Sequence, residues 1–311
     1  MKKLLIVDGT GLIYRGFYAI PPFMKSPTGV QTNAVFGFVS ILFNMIDAHK
    51  PTHIAVAFDK KGPTFRHEQY KEYKATRVKA PDGLYAQMPL AKDFMAKSSL
   101  PLYELAGFEA DDIIATVCDT LKTNADTEIL VATGDFDLFQ VVRPGVKIVY
   151  PTKGFREAEL FGEQEIIAKY GIRADQIPDY KGIAGDSSDN IPGVRGIGDK
   201  GALKLLSQYG TLEGVYEHIS EITGATLTKL EAAREMALLS KSLATLRRDV
   251  PVEFVMNHCD LKTITPEGVT EACMILGFNS IVKKLPGIFP NFVLNRAVEK
   301  NEPKVVQDSL F

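Results

Sequence analysis

A chain of 311 residues, 45% of them hydrophobic and with charges of both signs, holds enough apolar material for one large domain or for a core domain plus an appended one. Cys118, Cys259 and Cys273 lack the paired spacing of a zinc site or a disulfide framework, which fits a reducing, cytosolic setting. A net charge of −2 excludes a protein that coats nucleic acid through overall positive potential, and no apolar run reaches the roughly 18 to 20 residues that span a bilayer.

The opening Met1-Lys2-Lys3-Leu4-Leu5-Ile6-Val7-Asp8 has the basic onset of a signal peptide, but its apolar run is too short and stops at an acid. It reads as a buried strand, Leu4 to Val7, tipped by Asp8. Arg15 follows closely, in Tyr14-Arg15-Gly16-Phe17, where it can face a substrate. Ala34 to His49 is apolar at helical spacing, and His53 to Phe58 is a second short strand ending on Asp59. Between Lys60 and Lys79 the bases Lys60, Lys61, Arg66, Lys71, Lys74, Arg77 and Lys79 outnumber Glu68 and Glu72. Phe65, Tyr70 and Tyr73 interleave with them, as in a single-strand or flap contact, although a solvated amphipathic helix has the same composition. Lys74 and Arg77, then Arg66, are the leading candidates for a cation beside a reacting phosphate.

Glu109-Ala110-Asp111-Asp112 opens a helix, Ala110 to Thr123, with acids that suit its N-terminus. A third strand, Glu128 to Thr133, runs into Gly134-Asp135-Phe136-Asp137. Strands alternating with helices predict an α/β fold with a largely parallel sheet, whose ligands collect beyond the carboxyl ends of the strands, where Asp8, Asp59 and Asp135 lie.

From about Gln164 the pattern turns helical, with breaks at Pro178, Pro192, Gly193 and Gly196-Ile197-Gly198. A helix is expected from Asp199, as cap, to near Gly210, then others over Thr211 to Ile219 and Thr226 to Leu246. Asn295 to Asp308 is polar and aperiodic, the composition of a flexible tail.

Gly196 to Gly201 matches the GxGxxG fingerprint, but a proline-bearing loop precedes it and no acid-tipped strand follows, so a dinucleotide site is not supported. The turn reads better as a helix-hairpin-helix, in which Gly196 and Gly198 expose backbone N–H groups to a DNA phosphate and Lys200 and Lys204 add contacts that do not read bases. An ordinary helix-helix turn has the same spacing.

Acids also recur at Asp186-Ser187-Ser188-Asp189. Taken singly, each acid is equally a turn, cap or solvated-loop residue. Jointly, so many carboxylates repel one another unless hard divalent ions neutralise them, and two ions about 4 Å apart can activate a water and stabilise a leaving oxygen at a phosphodiester.

Val7-Asp8-Gly9, Phe58-Asp59, Tyr73-Lys74-Ala75-Thr76-Arg77, Glu109-Ala110-Asp111-Asp112, Gly134-Asp135-Phe136-Asp137 and Gly185-Asp186-Ser187-Ser188-Asp189-Asn190-Ile191-Pro192-Gly193 together resemble the 5′ nuclease (5′-3′ exonuclease) domain of bacterial DNA polymerase I, within the flap endonuclease family. The resemblance runs roughly from Lys3 to Pro286. It implies a PIN-like α/β core over 1–163, with a helical arch at about 60–85, a helical subdomain over 164–290 with the helix-hairpin-helix module, and a tail over 291–311. It also implies that Asp8, Asp59, Glu109, Asp111 and Asp112 serve a first metal position and Asp135, Asp137, Asp186 and Asp189 a second, with Asp111 between them. The ions would be Mg2+ or Mn2+, with K+ at the hairpin. Lys74 and Arg77 match the basic arch residues at the scissile phosphate, and Arg15, Arg66, Tyr73, Gly196, Gly198, Lys200 and Lys204 fall on the DNA side.

The implied activity is metal-dependent 5′-3′ exonuclease and 5′ flap endonuclease cleavage at flaps, nicks and 5′ ends, RNA-DNA primers included, in replication and repair in a bacterial cytoplasm. The chain is either free-standing or part of a longer polymerase. Gln307-Asp308-Ser309-Leu310-Phe311 is similar to the short motif that docks on the bacterial sliding clamp, with Gln307, Leu310 and Phe311 as anchors. Two readings compete: a scaffold that binds junctions without cutting, against which the intact acid set argues, and a ribonuclease of the same core fold, against which the hairpin argues.

Overall fold

The structure, a computed structural model, describes residues 2–124, 126–151 and 158–289. Six strands, β1 (Lys2–Asp8), β2 (His53–Ala57), β3 (Leu102–Tyr103), β4 (Thr127–Ala132), β5 (Val146–Pro151) and β6 (Ala158–Phe161), form one sheet ordered β3-β2-β1-β4-β5-β6. Every neighbouring pair is parallel except β5 with β6. The expected mainly parallel sheet flanked by helices is therefore present. β3, β5 and β6 are additions that the sequence pattern does not announce.

Side chains of β1 alternate between two cores. Leu4 and Ile6 enter one that holds Ile113 and Val117 of the helix Ala110–Thr120, while Leu5 and Val7 enter another with Leu12, Phe38 and Phe43. Burial on both faces is why the strand reads as an unbroken apolar run. Chain order reverses between β1 and β4, so a crevice opens beyond their carboxyl ends.

The helix Gly9–Ala19 is glycine-rich and gives little helical signal in the sequence. Its glycine at 16 serves a close crossing with the helix Asn33–His49: a Cβ on Gly37 would sit 2.4 Å from Gly16 Cα. Residues 60–85 carry two short helices, Phe65–Gln69 and Asp82–Tyr85, joined by turns in which Lys74 has φ 57°.

Beyond β6 the chain is helical, as expected from about Gln164, beginning with Glu163–Tyr170. The helix Asp199–Tyr209 is capped by Gly198, not by Asp199, which is its first helical residue. The single helix expected over Thr226 to Leu246 is two, Gly224–Ala232 and Arg234–Ala244, parted at Ala233. The chain then returns to the sheet, where Val269, Cys273 and Leu276 of the helix Pro266–Leu276 share the core of Leu5 and Val7. No helix among the described residues is long and apolar enough to cross a membrane.

Candidate active site

The crevice at the β1–β4 border gathers Asp8, Asp59, Glu109, Asp111 and Asp135, together with Arg15, Lys74 and Arg77. Each acid is placed by backbone geometry. Asp8 ends β1 and caps the next helix, accepting from Gly11 N at 2.8 Å, with Thr133 Oγ1 donating to its other oxygen at 3.2 Å. Asp59 follows β2, and its Oδ1 accepts from Ala110 N at 2.8 Å, so it caps the helix that carries Asp111. Asp135 N donates to Thr133 Oγ1, and Asp137 N to Asp135 Oδ1, both at 2.9 Å.

Burial and mutual repulsion raise the carboxyls of Asp8, Asp59 and Asp111. Burial, aided by the charges of Asp59 and Asp135, pushes the Asp8 carboxyl up to about 7 against the Gly11 N–H. Burial raises Asp59 as well, with Glu109 adding to it, and it raises Asp111 well above the usual range, with Asp135 and Asp8 adding to that. Among the described residues no lysine or arginine pairs with Asp8, Asp59 or Asp111. The donors are all oxygens, which fits a hard divalent cation. Among the described residues no three acids, histidines or cysteines are close enough to form a ready-made chelate. An ion that keeps several waters and touches few carboxylates directly suits that spacing.

The remaining acids form a second group that already holds cations. Lys181, buried in the helix Ile177–Ala184, pairs with Asp137 and lies 2.5 Å from Asp186 Oδ2. Burial opposes ionisation of Asp186, but Lys181 and Ser188 hold its carboxyl at about 2; at Asp137 burial outweighs Lys181 and the carboxyl rises to about 7. Asp189 is ion-paired with Arg77 and lies 3.7 Å from Lys74 Nζ; these two cations outweigh its burial and keep its carboxyl low. Lys74 Nζ also bonds Glu109 Oε1 at 2.7 Å, so Lys74 joins the two acid groups. The sequence reading missed Lys181. Its only signal there is a basic residue five positions before Asp186.

Three expected roles are revised. Asp112 is fully buried and faces away from the crevice. Its oxygens accept from Arg66 Nη1 and Nη2 at 2.7 and 2.8 Å and from the backbone of Arg247 and Glu109, which leaves no lone pair for a metal. Arg66, 2% exposed, has no surface to offer DNA. Tyr73 is likewise buried, its hydroxyl 3.1 Å from Glu109 Oε2 and 3.0 Å from Asp189 Oδ2, so in this conformation it braces acids and does not face solvent.

Far along the helical half, Gly196 has φ 85° and its carbonyl accepts from Lys229 Nζ at 2.8 Å. Gly198 precedes a helix with no side-chain cap, leaving that end's N–H groups open, and Lys200 and Lys204 are exposed beside it. Gln307, Leu310 and Phe311 lie outside the described residues.

Residues 3–171 match the family model described as 5′-3′ exonuclease, N-terminal resolvase-like domain, and residues 172–267 match 5′-3′ exonuclease, C-terminal SAM fold. The chain belongs to the 5′-3′ exonuclease family. It is 40% identical over 308 residues to DNA polymerase I of Bacillus subtilis, covering 99% of this chain and 35% of that protein. It is likewise 40% identical over 285 residues to DNA polymerase I of Caldicellulosiruptor bescii, covering 91% of this chain and 33% of the relative. The chain thus spans about a third of the length of these relatives.

Among solved structures, the 5′-3′ exonuclease fold described above is similar to the bacteriophage T5 flap endonuclease in a pseudo-enzyme-product complex with DNA and metal ions (TM-score 0.63, 21% identity, 92% of this chain and 99% of that one). The T5 5′-exonuclease with bound zinc aligns at TM-score 0.64 and 22% identity, over 88% of this chain and 99% of that one. The catalytic core of Rad2 in complex with DNA substrate aligns at TM-score 0.55 and 14% identity, over 94% of this chain and 93% of that one.

Proposed function

We propose that this chain hydrolyses DNA phosphodiesters at 5′ ends, nicks and 5′ flaps, with divalent metal ions as cofactor. The observation that carries the reading is the gathering of Asp8, Asp59, Glu109, Asp111 and Asp135 in one crevice faced by Lys74 and Arg77. Asp8, Asp59, Glu109 and Asp111 would hold one ion, and Asp135, Asp137, Asp186 and Asp189 a second, with Asp111 between them; Asp112 drops out. When bound, Mg2+ or Mn2+ supplies a nucleophilic water and stabilises the leaving oxygen.

The protein's own groups do the rest. Lys74 and Arg77, released from Glu109 and Asp189, take up charge on the scissile phosphate. Asp59 and Thr133 fix the helix and strand ends that aim the acids. The Gly196–Lys200 turn and Lys204 grip a duplex phosphate, with K+ as the monovalent ion at that turn. Substrates include RNA-DNA primers, in replication and repair in a bacterial cytoplasm. The Gln307 to Phe311 segment docks on the sliding clamp, and Leu310→Ala with Phe311→Ala abolishes that binding without changing cleavage.

The test is cleavage of 5′-labelled flap DNA with magnesium, with EDTA, and with Asp111→Ala or Asp135→Ala protein. Cutting near the junction that needs the metal, and that both variants lose while still binding the flap, supports the reading. Tight flap binding with no cutting under magnesium or manganese overturns it in favour of a junction-binding scaffold.

A further inference from the structure

We propose that Arg66 and Asp112 form a positioning pair that sets the carboxylate of Glu109 for metal binding and ties it to the helical half of the molecule. The inference rests on the reading of Glu109 as a metal ligand.

The hydrogen bonds of the Arg66 side chain support it. A guanidinium has five N–H donors in a rigid fork. In Arg66, Nε donates to Leu243 O at 2.8 Å, Nη1 to Asp112 Oδ2 at 2.7 Å and Glu109 Oε2 at 3.3 Å, and Nη2 to Asp112 Oδ1 at 2.8 Å and Thr245 O at 3.1 Å. All five are spent, on a carboxylate, a neighbouring carboxylate and two carbonyls at the end of the helix Arg234–Ala244. Asp112 in turn receives the fork and the N–H groups of Glu109 and Arg247 at 3.2 and 2.9 Å. Neither residue has a free group for DNA or a metal.

The distances show how the charge is divided. Arg66 gives its two short bonds to Asp112 and only a long one to Glu109, whose other oxygen meets Lys74 at 2.7 Å. Asp112 thus satisfies the guanidinium and leaves Glu109 facing the crevice. Without the charge on Asp112, the nearest anion left to a buried arginine is Glu109, which it would draw out of the site. Lys would not replace Arg66, because an ammonium cannot span a carboxylate and two carbonyls in one plane.

The experiment is calorimetric titration of Mg2+ into the DNA-free protein, with the Mg2+ dependence of flap cleavage measured in parallel, for wild type, Asp112→Asn, Arg66→Lys and the double variant Arg66→Gln/Asp112→Asn. Asp112→Asn is expected to weaken Mg2+ binding about tenfold or more, as loss of a group that orients a ligand does, and to shift half-maximal cleavage to higher Mg2+ by the same factor. At saturating Mg2+ its kcat stays near wild type. The double variant, which removes the stranded charge but also the bond to Glu109, recovers part of the Mg2+ affinity that Asp112→Asn loses. Arg66→Lys also weakens Mg2+ binding, and it carries the test should Asp112→Asn fail to fold. Asp112→Asn or Arg66→Lys binding Mg2+ as wild type does, or a folded double variant no better than Asp112→Asn, overturns the proposal. Wild-type protein that binds no Mg2+ and cuts nothing overturns instead the reading of the site as a nuclease.

Discussion

Lys74 Nζ lies 2.7 Å from Glu109 Oε1, and the backbone N–H of the same residue donates to Asp189 O at 2.8 Å. One residue is thereby held between the two acid groups, in a left-handed conformation uncommon for a lysine. Its ammonium stands where a divalent ion bound by Glu109 would compete with it. Lys74→Ala is therefore expected to lower single-turnover flap cleavage by about 10²-fold or more, as loss of a preorganised charge does. Mg2+ affinity, read by titration of the same protein, should not fall, because a competing cation has gone.

The raised carboxyls predict how stability changes with pH. Asp8, at about 7 in the folded protein, binds its proton more tightly than in the unfolded chain, so its contribution is full below about 4 and is lost as pH rises through 7. Asp59 and Asp111 shift in the same direction. In EDTA, thermal stability should fall between pH 5 and pH 8. Magnesium should raise it far more at pH 8 than at pH 5, and Asp8→Asn should flatten the EDTA curve. Thermal melts across that range, with and without Mg2+, check all three.

Lys181 is the buried cation between Asp137 and Asp186. Removing one member of a buried ion pair costs about 3–5 kcal/mol. Lys181→Met should therefore unfold at distinctly lower urea in EDTA, and saturating Mg2+ should return part of the loss by meeting the stranded carboxylates. Equal midpoints for the variant and wild type would contradict the role.

The exposed Lys200 and Lys204 predict a salt effect. A cation that meets only phosphate weakens binding uniformly across sequences and reduces the salt slope by about 1 when removed. Lys200→Ala with Lys204→Ala should flatten the plot of log affinity against log salt for nicked duplex DNA in EDTA, without altering which sequences are bound.

Much of this architecture was legible in the sequence, because β1, β2 and β4 are apolar runs that end on Asp8, Asp59 or just before Asp135. The edge of the sheet was not: β6 is four residues long and mostly exposed, so it has no apolar periodicity. Asp111 and Asp112 show why adjacent acids defeat a sequence reading. They differ by one helical step of about 100°, which aims Asp111 into the crevice and Asp112 into the protein, and composition cannot tell them apart. Arg66 was hidden in the same way, as one base among seven between Lys60 and Lys79, of which it alone is fully buried.

The bonds from Arg66 to Leu243 and Thr245 join residues 177 and 179 positions apart and cross the border between the two family models at 171 and 172. During synthesis every acid of the crevice emerges well before those carbonyls do. A nascent chain that ends short of Leu243 carries the full set of carboxylates with two of Arg66's donors bare, in a site where charge is costly to leave unmatched. The crevice is encoded early in the chain and completed late. An excised N-terminal half is therefore a poor stand-in for the nuclease, even though it contains most of the residues that would be called catalytic.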